Sequence, residues 1–256
     1  MLTAVDCDYS ITGNGPALFL THGIGAAKDA WRFMLPELSK HFSVVTYDLR
    51  GHGKSPVTHK NFTLDELVLD LERIREKTKF EKAHFVGHSL GGMVAPAYAL
   101  KFPKHTLSVG LLSTVAGRSE EDSKKVWNVI NDMEKDGIEK TLQTLTNRWF
   151  TEEFIKNNSD LVERRLKQVV DTDPEVFLNV FKIYAKTEMF PWLKNISRPC
   201  LLLTGEYDVG CSPKHNEIMA NEIKDSKLVI LPKYKHSFLI EAPNEVAKSL
   251  IEFINE

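Results

Sequence analysis

The sequence predicts an α/β protein: a mostly parallel sheet of eight strands flanked by helices, with a helical block inserted late in the sheet. Three observations predict it. Short apolar runs such as residues 17–21 and 199–205 have the length of strands covered on both faces. These runs alternate with amphipathic stretches of helical period, the order expected of parallel βαβ units. From about Ala116 to Met189 the strand signals stop and several charged, amphipathic helices follow one another. The expected division is therefore a core of residues 1–115 and 191–256, carrying a helical cap at 116–190.

Taken in order, residues 2–12 have extended character and end in Gly13-Asn14-Gly15-Pro16, a turn signal that predicts an edge hairpin. The run 17–21 feeds the loop His22-Gly23-Ile24-Gly25, after which Trp31, Met34, Leu35 and Leu38 recur at helical spacing. Residues 42–47 form the next strand. The glycine-rich loop after it, from Asp48 to Pro56, fails the dinucleotide pattern G-x-G-x-x-G at Pro56, and the loop from Gly23 fails it at Lys28, so no nucleotide cofactor is indicated. Thr63 and Glu66 make a capping box for a helix whose stripe is Leu64, Leu67, Val68, Leu71 and Ile74. Residues 83–86 form a strand, Gly87-His88-Ser89-Leu90-Gly91 follows, and 92–100 read as a helix. Another strand lies at 107–112. Beyond the helical block come a strand at 199–205, a helix opened by Ser212-Pro213, a strand at 227–232 and a closing helix from Pro243 to about Ile254.

Bulk properties restrict the function classes. The 256 residues can bury a full core. Thirty-three Lys and Arg against 35 Asp and Glu leave a formal charge of -2, which gives no general field for nucleic acid or anionic membrane, so a small molecule is the expected partner. The first residues lack signal-peptide character and no run reaches the length of a membrane span, which predicts a cytoplasmic protein. Cys7, Cys200 and Cys211 show neither paired nor metal-ligand spacing, so no disulfide framework and no zinc site are expected.

The pattern G-x-S-x-G between a strand and a helix describes a sharp turn that lifts a serine hydroxyl clear of the sheet. Its glycines are needed because side chains two residues either side of the serine would collide. Hydrolysis through serine also needs an imidazole to take the proton and a carboxylate to hold the imidazole. Asp208 and His236 each fall just past a predicted strand, where open α/β sheets place their sites. The candidate catalytic residues are thus Ser89, Asp208 and His236. His88 adjoins the serine and should point away; His22, His52 and His84 precede the cap and would break the order; His41, His59, His105 and His215 read as surface or packing residues. Glu206 is the rival acid, Cys211 a rival nucleophile without a supporting motif, and Asp48 a structural carboxylate. The backbone N–H groups of Ile24 and Leu90 are the candidate oxyanion donors.

With His22-Gly23, the stretch 48–55, Gly87-His88-Ser89-Leu90-Gly91-Gly92, Gly205-Glu206-Tyr207-Asp208 and His236 in place, the chain resembles the α/β-hydrolase superfamily over essentially its whole length. Serine at 89 disfavours the branches with an aspartate nucleophile. The stretch from Asn147 to Thr151 and on to Arg164-Arg165 is similar to the 3-oxoadipate enol-lactonase group. The resemblance implies hydrolysis of a small carboxylic ester or lactone through an acyl-serine, without metal or organic cofactor. Two alternatives stand beside it: a C–C bond hydrolase of a vinylogous diketone using the same residues, and a binding protein that kept the fold and lost turnover. Trp127, Trp149, Phe181, Met189 and Trp192 are the candidates to line the substrate pocket.

Overall fold

Strands form where the chain carries its apolar runs, and helices where it carries stripes. A computed structural model of the protein describes residues 2–256. The strands are β1 (Tyr9–Thr12), β2 (Ala17–Thr21), β3 (Ser43–Tyr47), β4 (Ala83–His88), β5 (Thr106–Leu112), β6 (Cys200–Gly205) and β7 (Ser226–Leu231). They lie side by side in the order β1-β3-β2-β4-β5-β6-β7. All pairings are parallel except β1 with β3, where Tyr9 faces Tyr47. Among the described residues the sheet therefore has seven strands, one fewer than the sequence predicts. The missing strand belongs to the expected N-terminal hairpin. Residues 2–8 form no ladder: Val5 N–H donates to Asp70 Oδ1 at 2.7 Å and Asp8 N–H to Ser55 Oγ at 2.8 Å, so side chains satisfy the backbone that a strand would have paired. The turn after β1 carries the chain past the start of β3 instead of folding β2 back onto it.

Parallel strands need both faces covered, and β2, β3 and β6 are buried at every residue. The face bearing Phe19, Val45, Phe85, Val109 and Leu202 packs on α2 (Leu64–Thr78) and α3 (Gly91–Lys101), joined by Met219 of α10 (Pro213–Glu222). The opposite face, with Leu18, Leu20, Val86, Leu201 and Leu203, packs on α1 (Leu35–Leu38) and on Val246, Leu250 and Phe253 of α12 (Pro243–Asn255). The short α11 (Phe238–Glu241) precedes α12.

Between β5 and β6 stand α4 (Glu120–Asp136), α5 (Ile138–Trp149), α6 (Glu152–Asn157), α7 (Ser159–Asp171), α8 (Pro174–Lys186) and α9 (Phe190–Leu193). Met133, Leu142, Leu145, Val169 and Phe177 give this block a small core of its own. Val176, Val180 and Ile183 of α8 join the sheet's cluster instead, so α8 roots the block in the sheet layer. Among the described residues no helix is long and apolar enough to cross a membrane.

Candidate active site

Each candidate residue sits just past the C-terminal end of a neighbouring parallel strand. Ser89 follows β4, Asp208 follows β6, and His236 follows β7. Ser89 has φ +57°, the left-handed region that a non-glycine residue enters only when its surroundings force it. Two hydrogen bonds do the forcing: Ser89 N–H to Leu112 O at 2.8 Å and Gly92 N–H to Ser89 O at 2.9 Å. The glycines around it have no room for a side chain. A Cβ at Gly87 would overlap the Gly91 carbonyl, one at Gly91 would overlap the Thr21 carbonyl, and one at Gly92 would lie 2.7 Å from Thr114 Cβ.

Asp208 is almost fully buried, and four donors surround its carboxylate. Oδ1 accepts from Gly210 N–H at 3.0 Å and Cys211 N–H at 2.9 Å; Oδ2 accepts from Ser113 Oγ and His236 Nδ1, both at 2.7 Å. Burial pushes the carboxyl's pKa up, but the adjacent imidazole and these donors outweigh it and hold the group at about 2. Asp208 is thus a carboxylate at any ordinary pH, and it fixes the His236 proton on Nδ1, leaving Nε2 as the basic nitrogen. Ser89 Oγ makes no hydrogen bond to a described residue. Ser89, Asp208 and His236 all line one cavity.

Ser113 was not among the sequence candidates. It follows β5, the strand between those that deliver Ser89 and Asp208, and it too has a positive φ, +41°. A serine at the end of the strand between two site strands is the available signal, and it shows only once the strand order is known.

The other histidines have partners of their own, although His88 and, against the sequence expectation of a surface or packing role, His215 also line the cavity. His88 donates from Nε2 to the His236 carbonyl at 2.9 Å, and burial followed by the neighbouring His236 brings its pKa down to about 3. It is a neutral group holding the His236 backbone. Burial takes His84 down to about 4, and its Nδ1 meets Ser108 Oγ at 2.8 Å. His215 meets Ser212 Oγ at 3.0 Å. Glu206 accepts from Lys233 N–H at 2.8 Å and ties the Asp208 turn to the His236 loop.

The loop after β2 shows why Ile24 offers a free amide. Leu49 N–H donates to His22 Nε2 at 2.9 Å, so the imidazole carries its proton on Nδ1 and donates it to Gly23 O at 2.8 Å. Ala26 N–H also reaches Gly23 O, at 3.3 Å. Gly25 N–H donates to His52 Nε2 at 3.3 Å, and His52 Nδ1 to Arg50 O at 3.1 Å. Burial keeps both imidazoles neutral, with pKa values lowered to about 4 for His22 and about 3 for His52. The carbonyls of Ile24 and Gly25 accept from Arg165 of α7 at 2.9 and 2.6 Å. Ile24 N–H is then the one polar backbone group from Gly23 O to Gly25 O without a protein partner. Its peptide is trans, so the N–H points away from the side on which Gly23 O is bound. A Cβ on Gly23 would come within 2.9 Å of Ser89 Cβ, which brings this loop against the elbow. Leu90 N–H likewise has no protein partner, at the N-cap of α3.

The cavity has a volume of about 220 Å³, sized for a small molecule. The helical block contributes one stripe of α4, namely Asp122, Lys125, Val126 and Val129, together with Trp149, Phe181 and Tyr184. Of the five expected lining residues, Trp149 and Phe181 lie there. Trp127 is one position off the inward stripe of α4, Met189 is fully buried in the sheet cluster, and Trp192 points its Nε1 at Glu188 O, 2.9 Å away. Six cationic side chains line the cavity (Arg32, Arg118, Lys125, Arg148, Arg164 and Arg165) together with the carboxylates of Asp122 and Asp208; Arg32 and Arg164 pair with Asp29, Arg118 with Glu188 and Lys125 with Glu121. Arg118 is only 3% exposed at its side chain, and its Nη1 has no hydrogen-bond partner.

Asp208, Cys211 and His236 place ligand-type atoms within 4.8 Å of one another. Asp208 and His236 are bonded to each other, and burial pushes the Cys211 thiol's pKa well above its ordinary value, so this donor set suits a proton relay better than a cation.

Residues 16–243 match the model of the alpha/beta hydrolase fold family. The chain is 28% identical over 242 residues to 3-oxoadipate enol-lactonase 1 of Acinetobacter baylyi, covering 94% of this chain and 89% of that one. The enol-lactonase structure from Burkholderia xenovorans superimposes with a TM-score of 0.91 at 25% identity, over 98% of this chain and 96% of that chain. A thermophilic esterase from Thermogutta terrifontis, solved with malate bound, superimposes with a TM-score of 0.88 at 25% identity, over 98% of this chain and 93% of that one.

Proposed function

The chain belongs to the α/β-hydrolase fold family, and from that premise we propose a serine hydrolase that opens a small carboxylic ester or lactone through an acyl-serine intermediate. The observation that carries the reading is Ser89 held at positive φ in the cavity that also receives the Asp208-bound imidazole of His236, with two unpartnered amides beside it. In this reading Ser89 Oγ attacks the carbonyl carbon as His236 Nε2 takes its proton. Asp208 stabilises the resulting imidazolium, and the N–H groups of Ile24 and Leu90 hold the tetrahedral oxyanion. The imidazolium then returns the proton to the departing oxygen. In a lactone that oxygen stays tethered to the acyl group, and water activated by His236 releases the acid.

Residues 116–190 serve as the cap and residues 1–115 and 191–256 as the core, Met1 lying outside the described residues. The cationic lining supports a substrate that carries a carboxylate. Arg118 has Glu188 Oε2 4.0 Å from its Nε and gives its Nη2 to Tyr184 O and Thr187 O, but its buried Nη1 is left without a partner, and that N–H is the strongest single feature in its favour. The names of the two enol-lactonase relatives and the malate of the esterase structure agree with that class. The reading needs neither metal nor organic cofactor and puts the enzyme in the cytoplasm.

Ser89→Ala tests it. Hydrolysis of a short p-nitrophenyl ester should fall by roughly 10⁶-fold in kcat, and a fluorophosphonate probe should no longer label the protein. Retained esterase activity in the variant would end the proposal. Turnover of a vinylogous diketone but of no oxygen-linked substrate would instead favour C–C bond hydrolysis.

A further inference from the structure

Arg165 stands out among the cations of the cavity because of what it holds. Its guanidinium makes no ion pair with a described residue. It donates instead to two consecutive carbonyls of the oxyanion loop, Nη2 to Ile24 O at 2.9 Å and Nη1 to Gly25 O at 2.6 Å. These are the two peptide planes that follow the Gly23–Ile24 plane, the one carrying the free N–H. His22 and Ala26 fix that first plane from the core side, so the loop is pinned from below by β2's own end and from above by α7.

The other face of the guanidinium rests on Trp149, 5.1 Å from the ring centre. Trp149 O accepts from Ser237 N–H at 2.8 Å, one residue beyond His236. Lys235 Nζ reaches Asn147 O at 2.8 Å, and Thr151 Oγ1 donates to Glu241 Oε2 at 2.5 Å. The end of α5 is therefore fastened to the loop that carries His236, and Arg165 is fastened to the loop that carries Ile24. A continuous run of contacts, Ser237–Trp149–Arg165–Ile24, follows the cavity wall from one loop to the other.

We infer that Arg165 is a positioning residue: stacked on Trp149, it sets the Ile24 amide for the oxyanion and ties the oxyanion loop to the His236 loop through the helical block. This rests on the acyl-serine reading. It makes the block a brace on the reacting groups as well as the wall of the pocket. With no ion-pair partner among the described residues, the guanidinium spends its donors on the loop, so the Ile24 amide is held in place before the oxyanion forms.

The test uses a neutral substrate, so that attraction between Arg165 and a substrate carboxylate cannot contribute. For Arg165→Met on a short p-nitrophenyl ester, kcat should fall about 100-fold, the effect of losing one well-placed oxyanion donor, with KM within about threefold. Affinity for an alkylboronic acid, which forms a tetrahedral anion on Ser89, should fall in parallel with kcat. Arg165→Lys, which can reach one carbonyl but not both, should recover part of the loss. Lys167→Gln, an exposed change on the same helix, should leave all these values unchanged. If Arg165→Met does not fold, Arg165→Lys alone decides, with an expected loss of about tenfold in kcat and boronate affinity. Unchanged kcat and boronate affinity in the folded variants would overturn the inference. So would a defect confined to the KM of an anionic ester, since that would make Arg165 a substrate anchor. Activity in Ser89→Ala would defeat the acyl-serine reading itself, a separate outcome from either of these.

Discussion

The elbow and the helical block place similar residues under opposite constraints. At Gly87 the nearest atom to an added Cβ is the Gly91 carbonyl oxygen, well inside contact distance, and at Gly91 it is the Thr21 carbonyl. At Gly137, between α4 and α5, nothing lies within 4 Å, and glycine is there for its φ of +90° alone. In the first region the backbone itself fills the space, so residue identity is dictated by geometry. In the second, side chains pack against side chains and the sequence is freer. Chemistry and specificity are thereby divided: the reacting groups hang from the constrained region, and nearly half of the cavity wall comes from the freer one.

The contrast can be broken most directly by making the same change in both places. Gly87→Ala should cost more than about 5 kcal/mol and yield little folded protein, because only backbone is available to move. Gly137→Ala should fold, lose about 1–3 kcal/mol through its backbone conformation, and keep its kcat. Thermal melts and soluble yield decide; equal losses at the two sites would show that the regions do not differ as described. The next effect is on turnover. Asp208→Asn keeps the shape but no longer holds the Nδ1–H tautomer of His236, and kcat should drop on the order of 10⁴-fold. Trimming the wall at Val126→Ala should change kcat/KM by no more than about tenfold, and through KM. A wall change that lowered kcat as much as Asp208→Asn would erase the distinction.

Much of the constrained region could be read in the sequence, because steric necessity leaves local signs: glycines at fixed offsets from Ser89, apolar runs of strand length, a capping box at Thr63 whose N–H does donate to Glu66 Oε2 at 3.1 Å. What could not be read depends on residues that meet only in space. Ser113 and Asp208 are 95 positions apart, and Arg165 lies 141 from Ile24. Nothing in a linear pattern says which of two adjacent arginines will reach the oxyanion loop and which, as Arg164 does, will pair with Asp29 at 2.8 Å. On α4 the expectation was misplaced by one residue: helical periodicity gives a stripe but not its phase against the cavity, so Val126 faces in where Trp127 was expected. The N-terminal segment misled for another reason. Its extended character is real, but its donors go to Asp70 and Ser55 side chains, a choice that no turn signal announces.

The smallest expected effect per residue concerns the protons that the constrained region refuses. His22, His52 and His88 are buried beside the site, with pKa values lowered to about 4, 3 and 3, chiefly by burial. Each is neutral in the folded protein, while in the unfolded chain it takes up a proton near the ordinary value of 6.5. The folded pKa is depressed, so the stability linked to these groups is fully present above about pH 6.5, declines as the pH falls below it, and keeps declining until the folded values are reached. Between pH 8 and pH 6 three such groups together should lower the unfolding free energy by about 2–3 kcal/mol. Asp208 adds nothing in that window, because its carboxyl, lowered to about 2, gives up its contribution only between about pH 4 and pH 2. Partly buried His84, lowered to about 4, adds a similar share to the slope; urea unfolding at pH 8, 7 and 6 measures it, and His52→Gln should flatten it by about a quarter. A stability constant over that range would mean that the imidazoles at the site titrate as freely in the folded chain as in the unfolded one. The neutral, tautomer-fixed His22 and His52 that hold the oxyanion loop would then have to be abandoned.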